Sequence, residues 1–189
     1  MREIRLTSLK KPVLVLVLTA FCFLSPLFGE RAPINVNLII DGSSALSAVK
    51  GEVTSWVCDR LDKILVDGDV VTIWNAGPTA RIIYSQAVNS AADRETVKKN
   101  VRDIQTANSS AADFSGALRE AAATRQISAF SYTLLISASQ EALSSFLAGS
   151  QSGMLRFSRV EEFPAWRALV VGQNLDRRVK EAATSFFGS

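Results

Sequence analysis

The chain of 189 residues contains no histidine. That one absence removes Ser-His-Asp triads, Cys-His pairs and the usual His-bearing zinc sites from the chemistry open to it. Cysteine is scarce: Cys22 and Cys58 are the two present, and Cys22 lies in the N-terminal segment. If that segment is removed, Cys58 has no partner within the chain and no internal disulfide can form. There is no glycine-rich phosphate loop and no Gly-x-Ser-x-Gly turn. Asp41 is followed two places on by Ser43, where an aspartyl phosphotransfer site would need a second Asp. No pair of carboxylates marks an obvious shared cleft. These gaps together argue against an enzyme.

Long apolar runs are also few, and one stands out. Residues 1–12 carry Arg2, Arg5, Lys10 and Lys11 against Glu3, and the run from Val13 to Phe28, 16 residues long, is uncharged and broken near its end by Pro26. A basic head ahead of a short greasy stretch is the layout of a secretory signal, and the stretch is shorter than the roughly 20 residues a membrane span requires. We therefore read residues 1–29 as a signal peptide and residues 30–189 as the mature domain, exported to a periplasmic or extracellular site. An uncleaved anchor or a lipidated Cys22 is the alternative, although Phe21 sits where a lipobox has a small residue. In either alternative the membrane is met only through this segment.

Charge supports the same division. The whole chain has 21 basic and 18 acidic side chains, but residues 1–29 hold four of the former and one of the latter, which leaves 17 of each. A neutral domain has no electrostatic hold on a polyanion, so nucleic acid is not expected as a partner.

Along residues 30–189, apolar runs alternate with amphipathic stretches. INVNLII from Ile34 reads as a buried strand that ends at Asp41-Gly42-Ser43-Ser44. Leu46, Val49, Val53, Trp56, Val57, Leu61 and Ile64 follow at helical spacing. Strands are expected over Asp69–Trp74 and Ala80–Tyr84, joined at Gly77-Pro78. A helix should bury Val97, Val101 and Ile104 with Asp93 capping its start, and an alanine-rich helix should bury Phe114, Ala117, Leu118, Ala121 and Ala122. SYTLLIS (Ser131 to Ser137) is a further buried strand, followed by a helix from Glu141 to Ala148, a strand from Arg167 to Gly172 and a terminal helix from Asp176 to Phe187. Segment 150–167 has no clear period. Strands alternating with helices predict an α/β fold: a Rossmann-like, mostly parallel central sheet with one antiparallel edge strand and helices on both faces.

In such a sheet, functional loops collect at the carboxyl ends of the strands. Three qualify: Asp41-Gly42-Ser43-Ser44-Ala45, Ser109 to Asp113, and Ser137-Ala138-Ser139. Their order, with Asp113-Phe114-Ser115-Gly116-Ala117-Leu118 opening a helix, resembles the von Willebrand factor A domain over about residues 34–187. The resemblance implies a divalent-cation adhesion site built from Asp-x-Ser-x-Ser, a Thr and an Asp, with a partner's carboxylate completing the shell. Here Asp41 and Ser43 match, whereas Ala45, Ala112 and Ala138 stand at the other three ligand positions. One carboxylate and one hydroxyl do not repay the dehydration of a hard cation, so the site is expected to be vestigial, with no cofactor or at most weak magnesium.

The expected function is thus metal-independent binding of another protein, in the cell envelope. Asp41, Ser43, Ser44, Asp113 and Ser139 form the first candidate surface. The second is the aromatic-rich stretch of Met154, Leu155, Phe157, Phe163 and Trp166, interleaved with Arg156, Arg159 and Arg167, and from it Phe163 and Trp166 are taken as contacts. The plainer readings are that Asp41 is a cap, that the 154–166 aromatics cover a sheet edge, that Cys58 is an inert buried thiol and that Trp74 is core. The competing functions are an adhesion module with a cation site rebuilt from neighbouring oxygens, and a small enzyme on a Rossmann-like sheet.

Overall fold

The computed structural model describes residues 32–123, 130–149 and 156–172. The expected leader at 1–29, Met154, Leu155 and the expected terminal helix lie outside the described residues. Within them the strands are β1 (Asn35–Asp41), β2 (Asp69–Ala76), β3 (Ala80–Val88), β4 (Ser131–Ser137), β5 (Arg156–Glu162) and β6 (Arg167–Gly172). The helices are α1 (Lys50–Ile64), α2 (Ala91–Arg102), α3 (Phe114–Ala123) and α4 (Gln140–Gly149), with a short 3-10 turn at Ser44–Ala48 before α1. The six strands form one sheet in the order β3-β2-β1-β4-β6-β5.

Central strand β1 explains the layering. Its burial is continuous from Val36 to Asp41, as a strand covered on both faces must be. Val36, Leu38 and Ile40 face one apolar cluster, in which Val53, Val57, Leu61 and Ile64 of α1 and Val97 and Val101 of α2 are buried. Ile39 faces the other, with Trp74 of β2, Phe114, Ala117 and Ala121 of α3 and Phe146 of α4. Each of these larger side chains contributes roughly 1.5–3 kcal/mol of apolar transfer. The two clusters are therefore what hold helices on both faces. Alanines on α3 let that helix lie close to the sheet, and Phe114 meets Phe146 edge to face, with ring centroids 6.0 Å apart.

The Rossmann-like α/β class is as expected, and four of the six strands point one way. Edge strand β3 is antiparallel to β2. The expectation of a single antiparallel strand is corrected by β6, which also runs against its neighbours β4 and β5. The cause is local. Segment 156–172, whose sequence shows no period over its first half, is a β-hairpin closed where Phe163 N–H donates to the Trp166 carbonyl at 3.0 Å. A tight hairpin makes its two strands antiparallel. With α4 returning the chain so that β5 runs parallel to β4, the strand slotted between them has to oppose both.

Two smaller expectations also change. The helix starting at Leu46 is interrupted at Val49, whose φ of −119° ends the 3-10 turn before α1 begins. At α2 the cap is Ser90, whose Oγ accepts from Asp93 N–H at 3.2 Å, while Asp93 Oδ2 accepts from Asn89 N–H and Ser90 Oγ–H. This is a capping box, in which Asp93 takes the return position. Those bonds, led by the Asn89 amide, hold the Asp93 carboxyl below its ordinary value. Its contribution to α2 is present above the ordinary carboxylate range and lost as pH falls through it.

Asp69 fixes the opposite end of the sheet from the loops. It is fully buried, and its carboxylate accepts from Ile34 N–H at 2.9 Å and Val66 N–H at 3.0 Å, joining the start of β1 to the turn before β2. Asp69→Ala would strand both donors away from water. The expected loss is about 2–4 kcal/mol, read as a lower urea midpoint with an unchanged slope; a shift under about 0.5 kcal/mol would show that the two amides find other acceptors.

Candidate functional site

The three loops at the carboxyl ends of β1 and β4 and ahead of α3 do meet, and Asp41 joins two of them. It sits at the last position of β1 with no exposed surface. Its Oδ1 accepts from Ser43 N–H at 2.8 Å, and its Oδ2 accepts from Ala138 N–H at 2.8 Å and Ser139 N–H at 2.9 Å. Both carboxylate oxygens thus accept from fixed backbone donors, as a buried polar group must.

Backbone bonds tie in the third loop. Ser44 N–H donates to the Ser109 carbonyl at 2.7 Å, Ala107 N–H to the Gly42 carbonyl at 2.8 Å, and Asp113 N–H to the Gly77 carbonyl at 2.8 Å. Gly42 is needed for this approach, because a Cβ there would collide with the Asn75 side chain and come within 2.9 Å of Gly77 N. Asn75 was not among the residues singled out by sequence. It is buried in β2, its Nδ2 donates to the Gln105 carbonyl at 2.8 Å, and it positions the start of the third loop. An amide inside the apolar run VVTIWNA is the sequence signal that marks it.

The other candidate oxygens turn toward helix starts. Ser43 Oγ accepts from Ala45 N–H at 3.3 Å and Ser139 Oγ from Ala142 N–H at 3.1 Å. Asp113 Oδ1 accepts from Gly116 N–H at 2.7 Å. Gly116 leaves the room for that bond, since a Cβ would run into the Asp113 carboxylate. Each satisfies amides that a helix leaves unpaired at its beginning. Ala45, Ala112 and Ala138 bring only methyl groups to these loops, and Ala112 and Ala138 pack against the two apolar clusters.

The residues expected to make contacts sit at different depths. Asp41, Ser43 and Ser139 are buried, with relative exposures of 0, 0 and 6%, and Asp113 is half-buried. They shape the loops from beneath and offer a partner little surface. Ser44 is exposed, as are Ser47, Asn108, Ser110 and Ala111 around it. The accessible rim is therefore short-chained, hydroxyl-rich and uncharged.

The second candidate surface lies partly in the interior. Trp166 is 1% exposed and its Nε1–H donates to Glu52 Oε1 of α1 at 2.9 Å. Its ring stacks on Phe163 at 3.8 Å and meets Trp56 edge-on at 5.3 Å. Phe163, half-buried, also packs edge-on against Trp56 at 5.7 Å. Trp166 and Phe163 thus close the sheet edge against α1. Arg167 donates to the Phe163 and Trp166 carbonyls and holds the hairpin turn. A cleft of about 70 Å³ lies beside the first loop cluster, lined by Ser139, Gln140, Leu143, Leu147, Ala165 and Arg167 among others.

Trp74 is fully buried in the sheet, and Cys58 is buried in α1 with its thiol directed at the Lys98 carbonyl 3.8 Å away. Burial raises the Cys58 pKa, ahead of the opposing influence of Arg102 and Lys98. Among the described residues no three His, Cys, Asp or Glu side chains converge as a metal-binding group, and no helix is long and apolar enough to cross a membrane.

No protein-family model and no curated protein sequence matches this chain. The fold has likenesses among solved structures, and one of them illustrates the distance. It is a von Willebrand factor type A protein from Catenulispora acidiphila, at 15% identity, with a TM-score of 0.42 over 53% of this chain. The match spans 25% of that structure, and at this distance says nothing of activity or ligands.

Two outcomes test the site's geometry. Asp41→Asn keeps the shape but sets an amide NH₂ against donor N–H groups, so a loss of about 2–3 kcal/mol in denaturant unfolding is expected; a variant as stable as the parent would show the loops do not depend on the carboxylate. Cys58 should resist a thiol reagent at pH 8 in the folded protein and react once urea unfolds it. Rapid labelling of the native chain would contradict its burial.

Proposed function

We propose that this chain is an exported von Willebrand factor A-like module that binds another protein through the hydroxyl-rich rim of its three loops, without a metal ion and without catalysis. The observation that carries the reading is the state of Asp41. A cation ligand needs lone pairs facing the site, and both oxygens of this carboxylate face inward to the amides of Ser43, Ala138 and Ser139. With methyl groups at positions 45, 112 and 138, the charge and oxygen count that a hard cation requires is missing. The loops nonetheless remain tightly cross-braced, which is what a rigid recognition surface needs in order to bind without a large ordering cost.

Recognition on this reading falls to Ser44, Ser47, Asn108 and Ser110, with the cleft beside Ser139 and Gln140 open to a small apolar group of the partner. Export rests on the basic head and apolar run of residues 1–28, and places the partner in the cell envelope. An enzyme is disfavoured by the absence of histidine from the sequence and, among the described residues, of any three converging Cys, Asp or Glu side chains.

Calorimetric titration with magnesium and manganese is the direct test. No saturable heat is expected in the micromolar range, and cross-linked partner complexes recovered from the envelope should survive a chelator. Micromolar cation binding that disappears in Asp41→Ala would replace this reading with the rebuilt cation site. Ser44→Arg and Ser110→Arg are expected to weaken capture of the same partner by about tenfold or more while the unfolding midpoint stays put; unchanged capture would move the binding face elsewhere.

A further inference from the structure

The two edges of the sheet are matched to one another. Among the described residues Ile82 and Val160 are the large hydrophobic side chains left exposed, at 46% and 45%. Ile82 lies on β3 and Val160 on β5, the two outermost strands. They are also the two ends of one lateral row. Ile82 pairs with Trp74, Trp74 with Ile39, Ile39 with Leu135, Leu135 with Leu169 and Leu169 with Val160. The four inner members are buried in the α3–α4 cluster. The row is thus apolar from edge to edge and stays wet only at its tips.

The adjacent row ends in opposite charges. Arg81 pairs with Asn75, Asn75 with Ile40, Ile40 with Ile136, Ile136 with Ala168 and Ala168 with Glu161. One edge therefore carries Arg81 beside Ile82, and the other Glu161 beside Val160, with Glu162 next along the strand. β3 runs against β1, whereas β5 runs with it. A second copy placed beside the first without being turned over presents its β5 antiparallel to β3. Setting Ile82 opposite the copy's Val160 then sets Arg81 opposite its Glu161, in register and on the same faces.

We propose that this chain associates with further copies of itself head to tail, β3 of one copy pairing with β5 of the next to continue the sheet. An exposed strand edge is a template for another strand, and β3 is nine residues long, free of proline and charged only at Arg81. Ile82 against Val160 and Arg81 against Glu161 are cross-strand pairs of the kinds that stabilise antiparallel sheet. Because the two contacting edges differ, the association is heterologous and open-ended, unlike a two-fold dimer that closes on itself. This surface is separate from the loop rim, so neither reading depends on the other.

The test uses full-length chains carrying Ile82→Cys or Val160→Cys, purified separately, mixed and oxidised with copper phenanthroline. Opposed residues on antiparallel strands bring Cα atoms to about 4.5–5.5 Å, within range of a disulfide. A non-reducing gel should show a dimer in the mixture beyond any band given by either variant alone, and a ladder from the doubly substituted chain. Val160→Cys mixed with Glu95→Cys, an exposed position on α2, is the control. A mixed band no stronger than that of either variant alone, or than the control, would overturn the proposal. In sedimentation, Val160→Lys should weaken self-association by about tenfold, with the folded circular dichroism spectrum retained; association unchanged by that substitution would equally refute it.

Discussion

A carboxylate taken wholly out of water has to be met by donors or by a cation, and the loop end of this sheet is organised around that requirement. Asp41 lies at the top of the central strand, and Ser43, Ala138 and Ser139 supply the donors from two loops nearly a hundred residues apart in sequence. With the third loop laced to the first by backbone bonds, the three become a single braced surface. The arrangement would not tolerate a bulky residue at 42, where the chain passes against Asn75 and Gly77.

The same interaction separates shape from chemistry. The loop oxygens are spent on helix starts and on backbone amides of neighbouring loops. Ser43, Asp113 and Ser139 each serve as a cap, and their burial leaves an outer rim of serine, asparagine and alanine. What faces solvent there is a short-chained, hydroxyl-rich surface. The aromatic group beside the β4 loop plays a comparable internal role, since Trp166 and Phe163 seal the hairpin onto α1 through Trp56 and Glu52.

Much of this was legible in advance, for identifiable reasons. Continuous apolar burial in INVNLII and SYTLLIS, and the three- and four-residue spacing from Val53 to Ile64, are direct consequences of strand and helix geometry. The loops Asp41-Gly42-Ser43 and Asp113-Phe114-Ser115-Gly116 announce helix starts by composition. Hairpin 156–172 was hidden because RFSRVEE carries charges at most positions, as an edge strand with one wet side does, and so shows no strict alternation of burial. Asn75 was overlooked because a lone amide in an apolar strand is visible only if buried polarity is sought in its own right.

The sequence by itself determined the alternation of strands and helices, the apolar faces that bury them, and the absence of a side-chain oxygen at positions 45, 112 and 138, because these depend on residue type and local period. Only the tertiary structure decided that β6 runs against its neighbours, that the Asp41 carboxylate reaches Ala138 and Ser139, that Trp166 faces inward, and that Ile82 and Val160 terminate one row. Each of those is a relation between segments far apart along the chain. No local preference encodes such a relation, which is fixed only when the sheet closes its register.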